Sequence, residues 1–247
     1  MAGDHNIILR GKIDRLDLAK LDNDHVLAQV IDYKSSAKKF DLGMFYNGTE
    51  MQMVSYLDVI NQNFPALTNQ EKIALFGAFY QTITQQTERL NSKTVFDSNL
   101  QIKENLLDSK PKLMYNGLIS SDPDLITKAE PALEKGGTAS QIYSGVRSKK
   151  TGGFTLPRDH SFTQEEMDLL LKYDEYLIKK ASNEILSGKV ELNPYRYNRG
   201  RNAITYSDYR DVFFFDAMLN EDEYHEISGM NKKELMEKIK EILEKEQ

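Results

Sequence analysis

The stretch HVLAQVIDYKSS, residues 25–36, is an apolar run that closes on an acid and a lysine two residues apart. It reads as a β-strand. Residues two apart in a strand share a face, so Asp32 and Lys34 project together while Ile31 and Tyr33 turn the other way. The segment before it, NIILRGKIDRLDLAKL (6–21), alternates in part and is rich in Ile and Leu, which predicts a second strand. The polar residues 22–24 (DND) supply a turn, and the two strands then form an antiparallel hairpin. Pairing through that turn brings Asp14 beside Asp32.

Two neighbouring carboxylates repel unless a cation lies between them. Hard oxygen ligands suit Mg²⁺ or Mn²⁺. A lysine at such a site can orient or help deprotonate an attacking water, or neutralise charge that builds on a phosphate. The chemistry this assembles is metal-assisted attack of water on a phosphodiester. The plain alternative is a surface ion pair at a strand end, and an Asp-x-Lys triplet is common by chance. Gly11-x-x-Asp14 on the preceding strand adds to the pattern. So do Gln52 and Tyr56, which are four apart and share a helical face. Gln52 has a second reading as the capping-box partner of Thr49, and Tyr56 as a core aromatic. The order and spacing of the set carry the reading, and no single member does.

Beyond the hairpin, Asn47-Gly48 breaks the chain, and Met53, Tyr56, Leu57 and Ile60 fall at helical spacing. KIALFGAFYQTIT (72–84) predicts a third strand, so the opening reads β-β-α-β. Residues 85–160 are turn-rich and read as an irregular insertion or connection, with KKTGGF (149–154) as a mobile loop. FTQEEMDLLLKYDEYLIKKASNEILSGK (162–189) predicts a long helix, with Thr163 and Glu166 as a capping box and Gly188 as its stop. NKKELMEKIKEILEKE (231–246) predicts another, capped by Asn231, with Leu235, Ile239, Ile242 and Leu243 in one apolar stripe. Packing of that stripe within the domain is expected.

With 247 residues, 40% apolar residues and no Trp, the chain can bury a substantial core. It contains no Cys, which excludes disulfides, zinc–thiolate sites and iron–sulfur ligation by its own residues. No apolar run reaches membrane-spanning length and no signal peptide opens the chain, so a cytoplasmic location is expected. The start, with Met1 and Ala2 ahead of a strand, suggests a fragment of something longer. A net charge of −6 weighs against coating nucleic acid by bulk positive charge. An acidic metal site needs only local basic groups, and Lys38, Lys39, Arg147, Lys149, Lys150, Arg196, Arg199, Arg201 and Arg210 provide candidates, each also explicable as solvated surface.

LRGKIDRLD, VIDYKSS and YNGTEMQMVSYLD together resemble the RecB-type nucleases of the PD-(D/E)XK superfamily. The likeness is greatest to the C-terminal nuclease domain of the AddB/RexB component of bacterial ATP-dependent helicase–nucleases. It continues through LFGAFYQTI, KLMYNGLI and EILSGKVELNPYR and sharpens at ITYSDYRDVFFFD (204–216). The resemblance implies an α/β fold, a restriction-endonuclease-like core with a mixed central sheet flanked by helices and a C-terminal helical extension. It implies a single nuclease domain over 1–247, with core motifs at 7–84, the irregular insertion at 85–160 and a helical part at 161–247. By the same resemblance Asp14 and Asp32 would bind Mg²⁺ or Mn²⁺, helped by the Tyr33 carbonyl. Lys34 would be the catalytic lysine, and Gln52 and Tyr56 would support it or touch DNA. The implied partners are DNA and an AddA/RexA-type helicase–nuclease subunit in a heterodimer, with ATP used only through that partner and no membrane involved. The implied activity is exonucleolytic, in double-strand-break repair and recombination; an inactive channel or scaffold module is the alternative.

Two departures stand out. Many AddB proteins hold a four-iron cluster with cysteines at positions matching Ile204, Ser207 and Phe213, which cannot ligate iron. The cluster-free RexB type is therefore implied, with packing by Ile204 and Phe213 expected in place of the staple. RecB-type sites also usually take a further ligand, often His, from a helix upstream of the first strand. His5 is too close to the strand to replace it readily, and His25, His160 and His225 have no carboxylates at ligand spacing. Weak metal binding and poor cutting by the chain in isolation are the expectation.

Overall fold

The computed structural model describes residues 7–22, 25–68, 72–83, 114–134, 137–189, 191–198, 200, 202–205, 207–219 and 223–246. The opening hairpin forms from β1 (Arg15–Lys20) and β2 (His25–Lys34), antiparallel, with Arg15 opposite Ile31 and Lys20 opposite Val26. Asp22 closes the turn by accepting from the His25 N–H at 2.8 Å. The first strand is shorter than its sequence suggests. Residues 7–13 carry Ile7, Ile8 and Leu9, yet they lie in no strand and these three side chains are exposed. The ladder with β2 stops at Arg15, and among the described residues the apolar stretch has no pairing partner to fix it as a strand.

A short helix α1 (Leu42–Tyr46), capped by Asp41, and the longer α2 (Gln52–Thr68) carry the chain across to β3 (Lys72–Thr82), which runs parallel to β2. The expected β-β-α-β opening is present. The expected capping box is not. The Thr49 hydroxyl donates back to the Met44 carbonyl at 2.9 Å, and the Gln52 side chain is engaged elsewhere.

Within the stretch 85–160, residues 85–113, 135 and 136 lie outside the described part. The remainder does more than connect. β4 (Asn116–Ser120) pairs antiparallel with β3, and β7 (Ser161–Phe162) pairs parallel with β4, completing a five-stranded mixed sheet in the order β1-β2-β3-β4-β7. α3 (Pro123–Ala129) follows β4. Its Leu125 and Ile126, with Leu133, Tyr143 and Val146, pack on one face of the sheet against Leu27, Phe76, Phe79 and Ile119. The predicted loop at 149–154 is the turn of a small hairpin, β5 (Arg147–Ser148) with β6 (Phe154–Thr155), and Gly152 and Gly153 take φ of 87° and 78° there. Side chains other than glycine rarely adopt that conformation.

The other face carries the larger core. Val26, Ala28 and Val30 of β2 and Ala78 and Tyr80 of β3 pack under Met53, Val54, Leu57, Ile60 and Phe64 of α2. Outside them lie α4 (Gln164–Leu186) and α6 (Lys232–Lys245). Both begin and end as their sequences predict. Thr163 and Glu166 form a reciprocal capping box, Gly188 takes φ 71° past the end of α4, and the Asn231 side chain accepts from the Glu234 N–H at 3.0 Å. Leu235 and Ile239 are buried in this core, with Ile242 and Leu243 against it, so the stripe of α6 is satisfied within the domain.

The segment between them, with β8 (Tyr195–Tyr197), α5 (Arg210–Phe213) and β9 (His225–Ile227), packs loosely. Phe213 is 43% exposed, so it is not the buried replacement for a cluster that its position suggested. It lines a surface cavity with Ile204 and Ser207 instead.

A buried carboxylate crosses the α2–α4 interface. Asp174 accepts from the Ser55 hydroxyl through both oxygens, at 3.0 and 2.8 Å, and is fully buried. Burial pushes its carboxyl up to about 7, with Asp58 and Glu175 adding to the rise. The folded pKa lies above the unfolded one, so this contribution to stability is fully present below about pH 4 and lost as pH rises through 7. Denaturant unfolding is expected to show roughly 2 kcal/mol less stability at pH 8 than at pH 5 from this group. Asp174→Asn should remove that difference; a variant with the wild-type pH dependence would refute the assignment.

Candidate active site

Asp32 lies near the end of β2, on the face that carries α2, and is only 3% exposed. Two residues on, Lys34 returns to the same face and its Nζ comes 2.5 Å from Asp32 Oδ2. The first residue of α2, Gln52, reaches both. Its Nε2 donates to Asp32 Oδ1 at 2.8 Å and to the Tyr56 hydroxyl at 2.9 Å, while its Oε1 accepts from Lys34 Nζ at 3.1 Å. Tyr56, one turn later, donates to the Lys12 carbonyl at 2.6 Å and ties α2 to the segment ahead of β1. The amide orientation follows from its partners: reversing it would set the NH₂ against an ammonium and the carbonyl against a carboxylate. A glutamate here would face Asp32 with like charge. Helical spacing places Gln52 and Tyr56 on one side of α2, and the parallel β2–β3 pairing holds that side over the end of β2.

Asp14 precedes β1 at the point where the ladder ends. Its Oδ2 accepts from the Tyr33 N–H at 3.1 Å, the amide between Asp32 and Lys34. The Arg15–Ile31 pair is the last of the ladder, and one further step of the same register would set Asp14 opposite Asp32. Asp14 is exposed and Asp32 buried, and both stand at the hairpin's open end. The Tyr33 side chain turns to the other side, where its hydroxyl is 3.4 Å from Arg15 Nη1.

One atom is unusual. Asp32 Oδ2 is buried and takes no hydrogen bond, its contact with Lys34 being a close ion pair out of hydrogen-bond alignment. That oxygen is held by the Lys34 ammonium, so a divalent cation would share or displace this contact. Among the described residues no three His, Cys, Asp or Glu side chains gather around a common point. A divalent cation here would rest on Asp14 and Asp32, with oxygens from substrate or water. Mg²⁺ tolerates that ligand set because it keeps waters and binds through one or two carboxylates and phosphates.

The remaining histidines are engaged elsewhere. His25 Nδ1 is 3.0 Å from Asp22, a carboxylate partner that the sequence reading overlooked; His160 Nε2 is 2.8 Å from the Phe40 carbonyl; His225 Nε2 is 2.7 Å from Asn47 Oδ1. His5 lies outside the described residues. Sequence reasoning also passed over Tyr80 and Glu50. Tyr80 stands in register with Asp32 on the neighbouring strand, and its hydroxyl donates to Glu50 at 2.9 Å. Only the β2–β3 register reveals that pairing, and nothing in the local sequence marks it.

Comparison with known proteins gives the family. The model of the PD-(D/E)XK nuclease superfamily matches residues 2–201, which include the whole hairpin and α2. The chain belongs to the PD-(D/E)XK nuclease superfamily. It is 61% identical over 247 residues to a Lactobacillus helveticus protein named as the B component of an ATP-dependent helicase/deoxyribonuclease, covering 99% of this chain and 21% of that protein. Proteins of the same name from Lactobacillus gasseri and Lactiplantibacillus plantarum are 51% and 34% identical, each over 96% of this chain and 20% and 19% of their own length. The chain therefore spans about a fifth of the length of the curated relatives it matches. The mixed sheet with flanking helices is the fold expected for the superfamily. Among the described residues no helix is long and apolar enough to cross a membrane.

Proposed function

We propose that this chain is the Mg²⁺- or Mn²⁺-dependent DNA exonuclease domain of the B component of a helicase–deoxyribonuclease. The observation that carries the reading is the interlocked set Asp32–Lys34–Gln52–Tyr56 beside Asp14, on a chain of a nuclease superfamily. In this reading Asp14 and Asp32, with the Tyr33 carbonyl, hold the cation. When bound, it supplies Lewis acidity toward a phosphate oxygen and acidifies water. Lys34 presents a fixed positive charge to the reacting phosphodiester, and Gln52 holds Lys34 and Asp32 in one geometry while Tyr56 fixes Gln52. A site preorganised this way spends little reorganisation energy at the moment of reaction.

The relatives' names support a partner subunit. That this partner is a helicase–nuclease of the AddA/RexA type and alone uses ATP, a cytoplasmic location and work in double-strand-break repair and recombination rest on the resemblance in the sequence and are part of the same proposal. A second reading is a nuclease fold kept as a DNA channel or scaffold. One observation favours it, that Lys34 and Asp32 are closed on each other and that no three acids or histidines gather around a common point among the described residues.

End-labelled linear DNA should be shortened by the full-length protein and its partner in Mg²⁺ or Mn²⁺, with any nuclease of the partner disabled, and left intact in excess EDTA. DNA that stays intact with both metals would reject the enzyme reading and leave the scaffold.

A further inference from the structure

Next to the site lies a second cation with its own support. Lys38, four residues past Lys34, has its Nζ 3.2 Å from Glu50 and 4.8 Å from the centre of the Tyr80 ring. Lys34 Nζ lies 5.3 Å from the same ring. Tyr80 is buried, and its hydroxyl donates to the same Glu50 oxygen that meets Lys38. One aromatic ring thus carries two ammonium groups, and each ammonium has a mostly buried carboxylate, Asp32 for Lys34 and Glu50 for Lys38. Glu50 stands just ahead of α2, two residues before Gln52, so the strand and the helix that fix the first lysine also fix the second.

Lys38 is not needed to neutralise Asp32, and a solvated lysine needs neither a buried acid nor a ring beneath it. Its side chain keeps 39% of its surface exposed while its ammonium is held at the mouth of the site. We propose that Lys38 binds a backbone phosphate of the DNA strand next to the one at Lys34, and that Glu50 and Tyr80 are positioning residues that hold it there. This rests on the nuclease reading of the site. An aromatic face and an acid together keep a long, flexible side chain oriented, which lowers the entropy lost on binding.

The sign of one substitution separates this role from simple electrostatics. If Glu50 only added negative charge near DNA, Glu50→Gln would tighten binding. If it positions Lys38, Glu50→Gln weakens binding. The measurement is anisotropy of a labelled single-stranded oligodeoxythymidine with the 247-residue chain, in EDTA so that nothing is cut, across a salt series. Lys38→Gln is expected to weaken binding roughly three- to tenfold and to lower the salt slope by about one. Glu50→Gln should do much of the same, and the double variant should be no weaker than Lys38→Gln alone. Tyr80→Phe keeps the ring and loses only the hydrogen bond to Glu50, so a smaller loss is expected. Thermal unfolding of each variant identifies any that fails to fold, and the exposed Lys38 remains informative if a Tyr80 variant does fail. Tighter binding by Glu50→Gln, or an unchanged salt slope in Lys38→Gln, would overturn the proposal while leaving cutting by the wild type intact. A wild-type chain that binds no DNA would overturn it together with the functional reading.

Discussion

Asp32→Ala is expected to lower DNA degradation by roughly a thousandfold or more, since it deletes several kcal/mol of charge stabilisation from the site. Asp32 is the buried member of the acidic pair, and its Oδ2 is the acceptor with no hydrogen bond. Read from the sequence alone, the substitution would relieve repulsion between two acids. The geometry adds a cost. Truncation takes an anion from Lys34, at 2.5 Å, and an acceptor from Gln52, at 2.8 Å. The Lys34 side chain is a quarter exposed, so water compensates part of the loss, and a cost of about 1–3 kcal/mol is expected rather than unfolding. Asp32→Asn keeps the volume and the bond from Gln52 and should lose activity with less destabilisation. Degradation rate and thermal unfolding measured on both variants test this. An alanine variant that cuts at the wild-type rate would remove Asp32 from the chemistry, and with it the nuclease reading of the hairpin.

How much of this was legible beforehand divides along a physical line. Local rules read well. The capping box at Thr163, the stop at Gly188 and the stripe on α6 depend on residues within a few positions of one another, and all three are present. The pairing of Asp32 with Lys34 and of Gln52 with Tyr56 followed from strand and helix periods. Most of what failed needed partners distant in sequence. The apolar start at 7–13 has no neighbouring strand among the described residues, and residues 116–120 became a sheet strand through pairing with β3. The cap at Thr49 failed locally, where the nearby Met44 carbonyl took its hydroxyl. Phe213 kept much of its surface exposed because no second layer covers it among the described residues. Tyr80 and Glu50 were invisible for the same reason: only parallel register sets Tyr80 against Asp32.

Lys34→Ala is the second large effect, and its diagnostic is the separation of turnover from metal binding. The lysine's ammonium touches Asp32 Oδ2 and Gln52 Oε1 and lies over Tyr80, so its position is fixed from three sides. Removing a preorganised charge aimed at a developing anion typically costs about 10²–10³ in rate, and that is the loss expected in kcat. Metal affinity should move the other way or not at all. Deleting a cation beside two carboxylates makes the site more negative, and Asp32 Oδ2 loses its competing partner. The test is the Mn²⁺ concentration dependence of cleavage at saturating DNA, with direct Mn²⁺ binding measured alongside. A variant with a roughly hundredfold lower kcat and unchanged or tighter Mn²⁺ binding is the signature of a lysine that acts on the phosphodiester. Equal losses in turnover and metal affinity would mean that Lys34 serves to shape the acidic pair, and the catalytic assignment would fall to another group.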